Sequence, residues 1–224
     1  VLEMPIDVLS TEAPDDVLHY EPVGPGRKAA ADPMDIERAA DILCNASFPV
    51  LNVGGGVLSA EAWDEALELA ELLSMPVATT LVGKGAFPEN HPLSLGGGVY
   101  PRSKYASGQA LHINRKADAV LAVGNSFRLP NATDGRPIPD GVKLIHINAD
   151  PADLNKIYQA DVAILADAKL ALRSLVDAVR DRLGPEAVES KKKWLRRFSR
   201  RRRSGWASGS LCSPTIRFQP TGTA

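Results

Sequence analysis

Three consecutive glycines, Gly54-Gly55-Gly56, follow a short apolar run and precede a segment of helical periodicity. A glycine turn between a strand and a helix is where backbone amides can approach a phosphate, assisted by the helix dipole. The same residues admit a mechanical reading, in which glycine only permits a tight turn and close packing of the helix. A dinucleotide fingerprint wants a third small residue, which Ser59 can supply, and an acid about 20 residues further on at the end of the second strand. That strand ends instead in Thr79-Thr80, which argues against a NAD-dependent oxidoreductase of ordinary type. Two further candidates are Gly124-Asn125-Ser126-Phe127-Arg128 and His146-Ile147-Asn148-Ala149-Asp150. Each follows an apolar run, so each falls at the carboxyl end of an expected strand, where open α/β sheets bind ligands. Asp150 serves more readily as a cap for the turn at Pro151 than as a ribose ligand, and Asp167 carries the same ambiguity.

Other chemistries find little support. His19, His91, His112 and His146 have no metal-ligand spacing, and Cys44 and Cys212 stand far apart. No Gly-x-Ser-x-Gly elbow and no pair of catalytic carboxylates is present. The residues do not compose a self-sufficient active site.

The elements that must position these residues alternate. Asp32-Pro33-Met34-Asp35 reads as a helix start, with Asp32 as cap and Pro33 in the first turn, and the helix is expected to reach about Ala46. A buried strand over Phe48–Val53 leads into the glycine turn, and Ser59 is expected to cap a helix through Leu73. Pro76–Thr80 is the next strand, followed by a long Gly- and Pro-rich loop from Leu81 to about Pro101. A helix over Ser103–Asn114 precedes the strand Ala119–Val123. Lys143–Ile147 and Val162–Leu165 are strands with a helical turn over Pro151–Lys156 between them, and Asp167 caps a last helix to about Leu183. This order predicts an α/β fold: a doubly wound, mostly parallel sheet with helices on both faces, of the Rossmann-like nucleotide-binding type.

Charge divides the chain. All 27 acidic residues lie before residue 191, with sixteen basic residues among them, so that part carries −11; the ten basic residues after it give +10. The acidic body is a poor partner for nucleic acid, which the basic end could attract nonspecifically. The expected division is therefore a remnant and linker over 1–31, one domain over 32–185 and a basic, unfolded tail over 186–224. A first residue other than methionine suggests a partial gene product. No apolar run approaches the roughly 18–20 residues of a membrane span, and the start lacks a signal-peptide pattern, so the expected compartment is the cytoplasm.

Several blocks together carry a family resemblance: Leu51-Asn52-Val53-Gly54-Gly55-Gly56-Val57, the uninterrupted run from Pro76 to Gly96 around Gly83-Lys84-Gly85, Ala117–Gly124, and Ile145-His146-Ile147-Asn148-Ala149-Asp150-Pro151. In order and interval they resemble the central domain of acetolactate-synthase-like thiamine-diphosphate enzymes over roughly residues 33–185, and Val1–Asp7 is similar to the closing strand of the preceding pyrimidine-binding domain. The resemblance implies a homo-oligomeric parent enzyme that decarboxylates a 2-oxo acid and passes on the fragment. Its pyrimidine-binding domain supplies an activating glutamate, and its diphosphate-binding domain holds thiamine diphosphate and magnesium. The central domain would support that site and be inactive alone. By the same resemblance Gly54, Gly55, Gly56, Thr80, Leu81, Gly124, Asp167 and Ala168 match nucleotide contacts at the carboxyl edge of the sheet, to FAD in some members and ADP in others. The flavin-binding pattern of arginine, aspartate and arginine after Gly124 is replaced here by Ser126, Arg128 and Pro130, and a methionine-histidine pair by Val99-Tyr100, which points to ADP ahead of FAD. A free-standing FAD or ADP domain, such as an electron-transfer flavoprotein domain, is the alternative.

Overall fold

The computed structural model describes residues 5–12, 15, 26–97, 116–127, 138 and 140–184. The helix expected over Ser103–Asn114, the positions Val99, Tyr100, Arg128 and Pro130, and the tail from 186 onward lie outside the described residues.

Six strands form one sheet: β1 (Pro49–Val53), β2 (Val77–Thr79), β3 (Ser94–Gly97), β4 (Ala119–Val123), β5 (Lys143–Asn148) and β6 (Val162–Leu165). All neighbouring pairs are parallel, in the order β3-β2-β1-β4-β5-β6. The fold is the expected doubly wound α/β type, and its strand order reverses between β1 and β4. Ligand crevices open at such a switch point, outside the carboxyl ends of the strands.

The helices are α1 (Ile6–Leu9), α2 (Pro33–Asn45), α3 (Gly55–Ser59), α4 (Trp63–Leu73) and α5 (Ala168–Arg182). In α2 the Asp32 carboxylate accepts the Met34 amide at 2.8 Å, with Pro33 in the first turn, where a missing N–H costs nothing. Its buried positions Ile36, Ala39, Ala40 and Leu43 make one helical stripe. Asp167 caps α5 in the same way, accepting the amides of Lys169 and Leu170 at 3.0 and 3.2 Å. The stripes of α2, α4 and α5 pack on one face of the sheet, against Leu51, Val53, Val77, Leu121, Val123, Ile145, Ile147, Val162 and Ile164. The alternate strand residues Val50, Ala78, Val120, Ala122 and Leu144 point to the other face, onto Leu95, Phe127 and Ile138.

Four local expectations are corrected. Ser59 does not cap a helix through Leu73: the glycine turn itself starts a helix, so Ser59 ends α3 and its hydroxyl bonds back to the Gly55 carbonyl at 3.3 Å. Glu61, at φ 54°, breaks the chain direction before α4 begins without a side-chain cap. The loop from Leu81 contains an edge strand, β3, which is glycine-rich and pairs with β2 through a register shift. The helical turn after Asp150 is a single 3₁₀ turn over Pro151–Asp153. Where the start of the chain resembles a closing strand, Ile6–Leu9 forms one helical turn, with the Ser10 and Thr11 hydroxyls bonded to the Ile6 and Asp7 carbonyls; Val1–Met4 lie outside the described residues.

Two carboxylates tie strand entrances together. Asp118 accepts the Ser47 and Phe48 amides at 2.7 and 2.8 Å, which fixes β1 beside β4. Asp161 accepts the Leu144 amide at 2.9 Å and pairs with Lys143 at 2.7 Å. Partial burial works against the Asp161 charge, but the hydrogen bonds from Lys143 and Leu144 outweigh it and hold the carboxyl below the usual carboxylate range. A depressed folded pKa stabilises the fold above the unfolded value of about 3.8, and that contribution is lost as pH falls through the folded pKa. Asp161→Asn should therefore lower stability at neutral pH by about 0.5–1 kcal/mol, allowing for solvent screening, and the gap should close on acidification below about pH 4. Thermal melts of both proteins from pH 7 to pH 3 check this; a gap that persists unchanged at pH 3 would contradict the linkage.

Candidate functional site

The glycine turn after β1 meets the turn after β4 backbone on backbone. Gly54 donates its amide to the Val123 carbonyl at 2.9 Å, and Gly56 donates to the Gly124 carbonyl at 3.0 Å. A Cβ on Gly54 would stand 2.1 Å from the Gly124 oxygen, and one on Gly124, at φ +58°, would stand 2.5 Å from the Gly56 Cα. Real Cβ atoms do not approach backbone so closely, so both positions require glycine. The loop after β2 joins the same junction: a Cβ on Gly83 would lie 2.6 Å from the Val53 oxygen, and the Thr80 hydroxyl accepts the Gly83 amide at 2.9 Å.

Six of the eight candidate residues are thus brought together: Gly54, Gly55, Gly56, Thr80, Leu81 and Gly124. The mechanical use of glycine accounts for Gly54, Gly56 and Gly124, whose amides are all engaged; Gly124 donates to the Ile147 carbonyl at 2.9 Å. Gly55 differs. It is half-buried, its amide has no partner among the described residues, and a Cβ there would touch only the Val82 side chain, at 2.8 Å to Cγ1. Leu81 and Val82 beside it are 69% and 77% exposed, an apolar shelf next to an open donor. Because α3 spans five residues and the longer α4 begins only at Trp63, the dipole at this turn is that of a short helix.

Asp167 and Ala168 form a second group at the end of β6. With neighbouring strands about 4.8 Å apart, three strand spacings place it roughly 14 Å from β1. The Asp167 carboxylate is already occupied by its cap bonds and by Lys28 at 3.5 Å, and its amide donates to the Ala29 carbonyl at 2.9 Å. Asp150 likewise caps its 3₁₀ turn, accepting the Ala152 amide at 2.9 Å.

The sequence named Gly83 within the family block and Asn125 and His146 within the two candidate loops, but gave no sign of the contacts they make or of Val82 beside Gly55. Asn125 accepts the Phe127 amide at 2.9 Å, and Phe127 adopts φ 51°. The Asn125 carbonyl accepts the His146 Nε2 proton at 2.7 Å. Burial pushes His146 below the ordinary imidazole value, against the opposing pull of that carbonyl and of Asp153, so the ring is neutral and packs edge-on to Phe127. Among the described residues no three His, Cys, Asp or Glu side chains are placed to hold a metal ion, and no helix is long and apolar enough to cross a membrane.

Comparison with known proteins places this architecture. A model of the family described as "Thiamine pyrophosphate enzyme, central domain" matches residues 36–175. The chain is 36% identical over 196 residues to a protein described as a probable acetolactate synthase large subunit of Methanocaldococcus jannaschii, covering 88% of this chain and 31% of that protein. It is 32% identical over 205 residues to the glyoxylate carboligase of Escherichia coli O157:H7, covering 91% and 34%. The crystal structure of benzoylformate decarboxylase from Polynucleobacter necessarius superposes with a TM-score of 0.58 at 21% identity, over 78% of this chain and 32% of that one, a likeness of fold. The chain spans about a third of the length of the curated relatives it matches. With the model matched across β1 to β6 and into α5, the chain belongs to the family of thiamine pyrophosphate enzyme central domains.

Proposed function

We propose that this chain is the central domain of a 2-oxo-acid decarboxylase or carboligase of the acetolactate-synthase-like type. Its role is to support the active site and bind an adenine nucleotide at the carboxyl edge of its sheet. The observation that carries the reading is the match over residues 36–175, which runs through every strand of the sheet. In this reading the domain organisation is a remnant of the preceding domain and a linker over 1–31, the central domain over 32–185 and a basic tail over 186–224, in a cytoplasmic, homo-oligomeric parent.

The described residues do not fit thiamine diphosphate with magnesium. No metal-holding cluster is present among them, and the two carboxylates at the carboxyl edge, Asp150 and Asp167, are committed as caps. The pyrimidine-binding and diphosphate-binding domains of the parent are then the partners that hold the cofactor, and the electron-sink chemistry is the cofactor's own. The central domain contributes geometry: a sheet edge made rigid by glycine contacts.

For a nucleotide the fit is narrower than a three-amide phosphate cradle. Gly55 offers one open donor for a phosphate oxygen, and the Leu81–Val82 shelf offers an apolar surface for a ring. Gly54, Gly56, Thr80 and Gly124 line the approach, with Asp167 and Ala168 at its far end. Ser126 stands where the flavin-binding relatives carry the first arginine, which favours ADP over FAD.

Three outcomes test this reading. Gly124→Ala should cost about 2–4 kcal/mol in urea unfolding, because its Cβ meets backbone at a left-handed position. Gly55→Asp, whose side chain displaces only exposed Val82, should leave the melting temperature nearly unchanged yet weaken ADP binding about tenfold or more by placing a carboxylate beside the phosphate. Calorimetric titration reads this directly; tighter binding of FAD than ADP, or ADP binding indifferent to the substitution, contradicts the assignment. Finally, the 224-residue chain incubated with pyruvate, thiamine diphosphate and magnesium should release no carbon dioxide, since its sequence has no diphosphate-binding Gly-Asp-Gly motif. Cofactor-dependent turnover by the purified chain would refute its role as a supporting domain.

A further inference from the structure

The sheet face opposite α2, α4 and α5 carries polar residues that the nucleotide reading does not use. Asn52 sits in the middle of an otherwise apolar strand, is fully buried, and among the described residues has no hydrogen-bond partner for either Nδ2 or Oδ1. It alternates with Leu51 and Val53, whose side chains face the helices, so its own side chain lies on the opposite face with Val50. Its in-register neighbours are both alanines, Ala78 on β2 and Ala122 on β4. Beyond Ala122 the next strand places His146 in the same row.

Asn125 lies outside this row, three residues beyond Ala122. It follows β4, and the Cβ that Gly54 lacks would lie 2.7 Å from its Cα, so the two chains touch there. Its Oδ1 is taken by the Phe127 amide, and Phe127 packs into the cluster on that same face. Its Nδ2 is buried without a partner among the described residues. Among the described residues, Asn52 thus leaves an amide nitrogen and an amide oxygen unsatisfied inside a strand, and Asn125 leaves an amide nitrogen unsatisfied in the turn after β4.

The chemistry of the missing partner follows from the atoms. The flanking alanines bring no polar side chain and fill little volume, and the backbone groups of β1, β2 and β4 are consumed by their ladders. The partner must accept from an amide nitrogen and donate to an amide oxygen. A cation satisfies only the oxygen and an anion only the nitrogens. Water satisfies both, and polar cavities of this kind are where proteins retain it.

We propose that the buried Asn52 amide, flanked in register by Ala78 and Ala122, is a permanent internal hydration site holding at least one ordered water. The site is separate from the open Gly55 amide and does not depend on nucleotide binding. A crystal structure of the full chain should contain a water, closed off from solvent, within hydrogen-bond distance of the Asn52 amide. In solution, the ¹⁵N-labelled chain should give water cross-peaks to the Asn52 side-chain NH₂ protons with the sign of a long-lived, slowly tumbling water, and these should persist when ADP is added. Asn52→Leu should abolish the site without lowering the melting temperature. A dry pocket, or an Asn52 amide bonded directly to another protein group, overturns the proposal. Should Asn52→Leu fail to fold, the measurements on the unsubstituted chain decide the matter alone.

Discussion

The contact on which the rest of the structure depends is between two backbones without side chains. Gly54 and Gly56 at the end of β1 press on Gly124 at the end of β4, and Gly83 from the loop after β2 lies on the same spot. The strand order reverses at that spot. Three loops that must converge at the carboxyl edge can do so only because no Cβ separates them. The hydrogen bonds from Gly54 to Val123 and from Gly56 to Gly124 are possible at that separation. The tight junction has a corollary for binding: amides that lock the loops together are no longer available to a ligand, which leaves half-buried Gly55 as an open donor among the described residues.

Around this junction the helices are fastened by charge at their outer surfaces. Arg173 and Arg180 on α5 both reach Glu68 on α4, and Arg182 bonds to Glu37 and Asp41 on α2. Exposed pairs of this kind add little individually. Their placement is informative nonetheless, since the acidic excess of the body is partly met by the arginines of its last helix.

Much of the fold was legible because its signals are local. Asp32-Pro33 and Asp167 each combine a capping side chain with a following apolar stripe, and both helices begin as that pattern requires. Fully buried parallel strands read as short apolar runs, which located β1, β4 and β5. What failed was local chemistry overruled by distant contacts. Ser59 has the residue type of a cap, but the glycine turn begins its helix four residues earlier. Ser94-Leu95-Gly96-Gly97 has no β-branched residue, and its strand exists because β2 offers an edge. Of the candidate site, the glycines were visible as a motif, whereas their separation into locking and open amides depends on where Gly124 lies in space. Asn52 was hidden in plain sight, a single polar residue in an apolar strand whose partners no periodicity can supply.

The bond between the Asp167 amide and the Ala29 carbonyl, with Lys28 held to the Asp167 carboxylate, pins the incoming chain to the carboxyl rim of the sheet. From that same Asp167, α5 runs fifteen residues to Arg182, a rise of roughly 22 Å at 1.5 Å per residue. Lys28 and Arg182 are therefore held at opposite ends of α5: the chain ahead of Lys28 leaves at one rim, and the chain beyond Arg182 leaves a full helix length away. The length of α5 thus sets how far apart the two ends of the chain leave the sheet, about 22 Å along the helix axis.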